Sequence, residues 1–366
     1  MRYPAALLMA ALVAMSLAPG VAAAEDAGAG RTRAALDRKM PETLERFRIP
    51  AASIARIRDG RIDLVVAYGL RDGVHPANPA TLFNVASLTK PLAAQTVLRL
   101  ASQGRFSVDE PLSKTWADPD VRDDLRAGLL TPRIMLSHQT GFANWRHQTG
   151  GHLSFAFAPG KGYGYSGEGY EYLRHWLRAR TGKPLDVQAQ MQVFAPAGMR
   201  ETAFTAQPWF KGRLALPAVD GAFIAPTLPD EPSAADNVHT TARDYARFLV
   251  WLMAGGGLTP ALASEQRTIQ VSQGDELCNP VMPQHCPASA GFGLGWQVIH
   301  LGTKTFMMHT GNDAGEFSFA YWSPGTREGA VILTNGNRGA EAVLAAIDIL
   351  GFDPDYAAFL KALAAK

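Results

Sequence analysis

The chain has 366 residues, 47% apolar and 19% charged, an ordinary balance for a folded globular protein with a large core, which excludes wholesale disorder. Its 35 basic and 33 acidic residues leave a formal net charge of +2, which points to neither a nucleic-acid nor an anionic-membrane partner. Two cysteines, and nine histidines without a His-Glu-x-x-His or His-x-His pattern, supply no matched ligand set, so no metal and no cofactor are expected.

Arg2, the apolar run Ala5 to Leu17, Pro19-Gly20 and then Ala22-Ala23-Ala24 ahead of Glu25-Asp26 follow the order of parts in a secretory signal peptide, with cleavage expected after Ala24. An uncleaved anchor is the alternative, since Tyr3 to Ala24 carries no charge, but Pro19 and Gly20 spoil a spanning helix. No Cys follows the run, so lipid anchoring is not indicated. The mature chain, 25–366, is expected in the periplasm or outside the cell, with no stable membrane span.

Residues 33 to 47 carry an amphipathic helical pattern. Ser53 to Ile57 and Arg61 to Tyr68 read as strands joined by the hairpin signal Asp59-Gly60. From Ser87 to Gln103 the pattern is helical, with Leu88, Leu92, Val97, Leu98 and Leu100 apolar and Gly104 as the stop. About 105 to 255 is helical and loop-rich, including Pro132 to Ser137, Glu168 to Arg180 and Thr241 to Gly255. Cys278 and Cys286 bracket a Pro-rich stretch and would close a small disulfide loop in an oxidising compartment. Gly293 to His300, Thr305 to His309, Phe317 to Tyr321 and Ala330 to Thr334 read as strands, and about Arg338 to Ile349 as a last helix.

Strands at both ends with helices between predict an α+β fold: one antiparallel sheet from about 33–100 and 290–366, flanked by helices, with an all-helical subdomain inserted at about 105–255 and the active site between them.

Ser87-Leu88-Thr89-Lys90 opens the helix after residue 87, and a spacing of three puts Ser and Lys side chains on one face, a turn apart. Pro91 is tolerated best in a first helical turn and pins the helix start near Ser87, at the positive end of the helix dipole where an oxyanion is stabilised. A serine hydroxyl needs a base, and a lysine serves only where burial or a neighbouring cation favours its free amine; a buried Lys90 beside Tyr165 meets that need. Taken alone, the pair reads equally well as a capping Ser and a solvated Lys. Two further elements follow in order: Tyr165-Ser166-Gly167 in the Gly-rich loop Pro159 to Gly169, and His309-Thr310-Gly311 at the end of a predicted strand.

With Phe83-Asn84-Val85-Ala86 ahead of Ser87, Met135 to Gly141, Gly198-Met199, Thr240 to Asp244, Gly293 to Trp296 and His309 to Gly315, the chain resembles the class C β-lactamase, D-alanyl-D-alanine carboxypeptidase and related esterase family over about 33 to 350. The resemblance implies an α/β domain beside a helical one, with Ser87 attacking a carbonyl and the Ser87 and Asn312 amides forming the oxyanion hole. It implies that Tyr165 protonates the leaving group, that Tyr165 with Lys90 activates the deacylating water, and that His309, Thr310 and Gly311 help bind substrate.

Two departures stand out. Gly167 occupies the place where β-lactamases of this family have Asn, which removes an amide contact to a lactam side chain. His309 replaces a Lys and attracts a lactam carboxylate less. The expected function is therefore hydrolysis of small esters, amides or D-amino-acid peptides through a Ser87 acyl-enzyme, with a true β-lactamase or a silent penicillin- or peptidoglycan-binding protein as alternatives. Gly164 to Glu168 is not a nucleophile elbow, and Ser166 is expected to orient the loop or the proton network. Trp145, Trp209 and Trp296 are candidates for an acyl pocket or for packing, and a triad through Asp236 and His239 is rejected because Ser-Lys-Tyr chemistry needs neither.

Overall fold

A computed structural model of the chain describes residues 19–277 and 285–365. Of the expected leader, residues 1–18 lie outside these; the first helix, Pro19–Phe47, is longer than its amphipathic part and runs through the expected cleavage point. The candidate disulfide also falls outside the described residues, because Cys278 does.

The centre of the protein is an eight-stranded antiparallel sheet with strands β1 (Ala51–Arg58), β2 (Arg61–Gly69), β3 (Val271–Ser272), β4 (Ser289–Phe292), β5 (Gln297–Leu301), β6 (Lys304–Asp313), β7 (Glu316–Trp322) and β8 (Gly329–Thr334). They lie in the order β2-β1-β8-β7-β6-β5-β4-β3, so the N-terminal hairpin joins the C-terminal strands through the β1–β8 ladder, with Ile54 opposite Ile332. Asp59 (φ 49°) and Gly60 (φ 72°) both take the left-handed conformation that a tight two-residue hairpin demands.

Side chains alternate between two cores, as the two-residue period requires. Ile54 and Ile332 face a layer formed by the first helix and the helices Ala340–Leu350 and Pro354–Ala364. Ala55, Val331 and Leu333 face the helices Thr89–Ser102 and Ala242–Met253 and the helical middle of the chain. Because both faces are covered, β8 is buried throughout and apolar over Ala330-Val331-Ile332-Leu333. The architecture is the expected α+β one, an antiparallel sheet flanked by helices.

Three sequence expectations are corrected. Gly293 to His300 is not one strand: Gly293 N–H donates to Trp296 O (2.8 Å) and Gly295 sits at φ 88° against the Ala94 Cβ, so a turn separates β4 from β5. His309 to Gly311 does not end its strand, since pairing with β7 continues to Asp313 opposite Glu316. The helix Pro354–Ala364 escaped the pattern reading, although Asp353 caps it ahead of Pro354 and Phe306 stacks on its Tyr356 at 4.3 Å. Among the described residues no helix is long and apolar enough to cross a membrane.

Candidate active site

Ser87 lies in a single tight turn, Ala86–Leu88, immediately before the helix Thr89–Ser102, which begins two residues later than the start that the sequence implied. Ala86 is held at φ 46°, a left-handed conformation that disfavours a residue with a Cβ by roughly 1–2 kcal/mol. Surrounding bonds hold it there: Ala86 N–H donates to Asn84 Oδ1 (3.0 Å), Val85 N–H to Val238 O (2.9 Å), and Ser318 Oγ–H to Val85 O (2.6 Å). Phe83-Asn84 pairs with His239-Thr240, and Tyr245 O–H donates to Leu88 O (2.8 Å), so the turn is clamped from both sides.

The second half of β6 passes directly over this turn. A Cβ on Gly311 would lie 2.1 Å from Val85 O, 2.4 Å from Ser318 Oγ and 3.0 Å from Ser87 N. Only glycine allows that approach, which brings the strand carrying Asn312 alongside the Ser87 amide.

Lys90 is fully buried. Its Nζ donates to Ser87 Oγ (2.9 Å) and to Ala235 O (2.8 Å) and lies 4.9 Å from the Tyr165 ring centroid and 5.8 Å from that of Tyr170. The three side chains picked from sequence, Ser87, Lys90 and Tyr165, therefore converge. Ser87, Tyr165, His309, Thr310 and Asn312 share the lining of one cavity of about 330 Å³.

His309 is buried, and burial and the nearby Lys90 charge push its imidazole down to about 3. It is neutral at ordinary pH. Nδ1 meets Thr310 O at 2.7 Å, which assigns the proton to Nδ1 and leaves Nε2 a bare acceptor, buried and without a partner among the described residues.

Ser166 caps the helix Gly167–Thr181, its Oγ accepting from Gly169 N–H (3.0 Å) and donating to Ala143 O (2.8 Å), so it orients the loop as expected. Gly167 has a reason in packing: a Cβ there would lie 2.8 to 3.0 Å from three ring atoms of Trp145. The indole fills the space that a side chain at 167 would take. Its loop is tied down by Arg146, whose Nε donates to Glu168 Oε2 (2.9 Å) and which also faces Asp118 (3.2 Å).

Of the three candidate tryptophans, Trp145 lines the cavity. Trp296 is buried against Trp322 and Phe248, and Trp209 lies by Phe210 and Arg213 on a different depression. His239 is packed on Phe210 with Nδ1 3.2 Å from Asn237 O, away from the cavity lining, in keeping with the rejected triad.

Sequence reasoning missed His138 as a site residue, and it weighed Asp236 only for the rejected triad and not as part of the cavity wall. His138, fully buried at φ 58°, stacks on Tyr165 at 4.3 Å and accepts the Ser166 amide at Nδ1 (3.1 Å), which sets the tilt of the Tyr165 ring. Burial, then the Lys90 charge, holds it well below the usual histidine range. The available signal was its place in Met135 to Gly141, a polar residue inside an otherwise packing-type motif. Asp236, next to the carbonyl that holds Lys90, lines the cavity, and no spacing rule links it to Ser87.

A half-exposed serine bonded to a fully buried lysine at the head of a helix, roofed by the neighbouring sheet strand and open to a cavity, defines a serine hydrolase of the acyl-transfer kind. Residues 36–351 match the Beta-lactamase family model, and the chain belongs to that family of serine hydrolases. Among curated relatives it is 28% identical over 320 residues to Esterase EstB of Burkholderia gladioli, covering 72% of this chain and 78% of the relative. It is 24% identical over 276 residues to the D-alanyl-D-alanine-carboxypeptidase/endopeptidase AmpH of Escherichia coli (strain K12), covering 69% and 70%. Among solved structures, D-alanine carboxypeptidase AmpC from Burkholderia cenocepacia superposes with a TM-score of 0.71 at 21% identity, over 87% of this chain and 98% of the other. A class C β-lactamase gives 0.72 at 18%, over 88% and 96%, and these two likenesses speak to the fold.

Proposed function

We propose that this protein is an exported hydrolase that cleaves small esters or amides, D-amino-acid peptides among them, through an acyl-enzyme on Ser87. The observation that carries the reading is the 2.9 Å contact between Lys90 Nζ and Ser87 Oγ on a fully buried lysine at the edge of the cavity.

In this reading Ser87 Oγ bonds the substrate carbonyl carbon while its proton passes to the Lys90–Tyr165 pair. The Ser87 and Asn312 amides hold the oxyanion, and Tyr165 returns a proton to the leaving oxygen or nitrogen as that bond breaks. Water, activated by Tyr165 with Lys90, then releases the acid. The esterase and carboxypeptidase relatives support both leaving groups. The Trp145 ring over Gly167, and a neutral His309 where a lactam carboxylate would want a cation, argue against a β-lactamase.

The test is the intact mass of the protein after exposure to a fluorophosphonate. One adduct on the wild type and none on Ser87→Ala is expected, with hydrolysis of simple p-nitrophenyl esters lost in Ser87→Ala and Lys90→Ala alike. A folded wild type that takes no adduct and hydrolyses no ester would leave a silent binding protein.

A further inference from the structure

Among the described residues the charged side chains lining the cavity are two carboxylates, Asp236 and Asp313, with no lysine or arginine. They arrive from separate segments: Asp236 follows the carbonyl that holds Lys90, and Asp313 follows Asn312 at the end of β6. Their carboxyls lie within hydrogen-bonding reach of each other. Asp236 Oδ1 accepts the Asn237 amide (2.7 Å) and Asp313 Oδ1 the Ala314 amide (2.7 Å), and among the described residues neither has an ion pair. Lys90 does not neutralise them directly, since its Nζ is bonded to Ser87 and Ala235.

Asp236 is half-buried and Asp313 exposed at the cavity rim; side by side they repel one another, and burial of Asp236 together with the Asp313 charge holds Asp236 up at about 6. Glu316 beside them is buried and pushed up to about 9, so it stays protonated and adds no charge at neutral pH.

The state of His309 points the same way independently. Its Nε2 is a buried acceptor without a donor among the described residues, on a side chain in the lining of the same cavity. The site thus offers a bare acceptor at His309 and negative charge at the Asp236–Asp313 end, and among the described lining side chains a substrate carboxylate finds no cation. A ligand rich in N–H donors and carrying positive charge satisfies all of them.

The strand sets the direction. His309 and Thr310 lie near Tyr165, whose ring centroid is 6.3 Å from that of His309. Asp313 is three residues beyond Thr310, about 10 Å further along the extended chain, past Asn312. If Tyr165 serves the leaving group, the acyl portion extends towards Asp313 and Asp236.

We infer that Asp236 and Asp313 are the specificity element of this site and take an ammonium group carried on the acyl portion of the substrate. The preferred substrates are esters or amides of amino-bearing acids, released at their acyl end, and peptides read through a free C-terminal carboxylate are poor ones. This rests on the Ser87 acyl-enzyme reading above.

The experiment compares kcat/KM of the full-length protein at pH 8 for two isosteric esters, p-nitrophenyl 4-(trimethylammonio)butanoate and p-nitrophenyl 5,5-dimethylhexanoate, which differ by N⁺ for C. The expected result is at least a tenfold preference for the cation, falling to about one in Asp313→Asn, falling likewise in Asp236→Asn, and kept in Asp313→Glu. A wild type that hydrolyses both esters at equal kcat/KM, or prefers the neutral one, overturns the inference and leaves the acyl-enzyme reading intact. Variants that keep the wild-type preference also overturn it. Failure of the hydrolase reading would look different: neither ester turned over, and no fluorophosphonate adduct on Ser87.

Discussion

Gly311→Ala puts the approach of β6 to the nucleophile turn to the sharpest test. The residue does not occupy the left-handed region, so its backbone suits alanine and only contact decides the outcome. The added Cβ would lie 2.1 Å from Val85 O, whereas even a close C···O contact needs about 3.3 Å, so the strand and the turn must part by roughly 1.2 Å. Neither partner is the tip of a flexible side chain: Val85 O already accepts from Ser318 Oγ, and Ser87 N is the amide assigned to the oxyanion hole. Overpacking of this kind costs about 1–3 kcal/mol, and a 1 Å misplacement of catalytic groups costs on the order of 100-fold in rate. The expected outcome is therefore kcat on p-nitrophenyl esters down about 100-fold or more with KM moved far less, and a melting temperature lower by a few degrees. Near-wild-type kcat in a folded variant would refute the close approach and, with it, the oxyanion assignment to Asn312.

Gly167→Asn should not create a β-lactamase, because Trp145 holds the space the new amide needs. Nitrocefin turnover is expected to stay at the wild-type level while stability falls by about 1–3 kcal/mol from overpacking, and a gain of tenfold or more would contradict the Trp145 argument. His309→Asn should flatten the acid side of the stability curve. The folded imidazole protonates at about 3 against 6.5 when unfolded, so the unfolded state binds more protons in that window. The stabilisation is fully present above 6.5 and is lost as pH falls towards 3, at no more than about 1.4 kcal/mol per pH unit. Asp236, raised to about 6, acts in the opposite sense between 3.8 and 6. Melting temperatures from pH 7 to pH 4 read the difference, and an unchanged slope in the variant would show that His309 is not held neutral.

The amino-acid order by itself determined what depends on neighbours along the chain. A spacing of three placed Lys90 a turn from Ser87, and the contact is there at 2.9 Å. Asp59-Gly60 specified the hairpin and Ala330 to Thr334 a strand, while the structure added that this strand is covered on both faces and that Ser166 orients its loop by capping a helix. Where the local pattern failed, a long-range contact had overridden it. Gly295 breaks an apparent strand because it abuts Ala94, and β6 runs on past Gly311 because β7 is there to pair with it.

What only the tertiary structure decided is which side chains from distant segments share the cavity wall. His138 behind Tyr165, Trp145 over Gly167, and Asp236 beside Asp313 are separated by 20 to nearly 80 residues, and no periodicity connects them. Their chemistry is also a product of burial. The same histidine that would be half protonated on a surface near pH 6.5 is a neutral acceptor at position 309, because desolvation and the Lys90 charge push its protonation down to about 3.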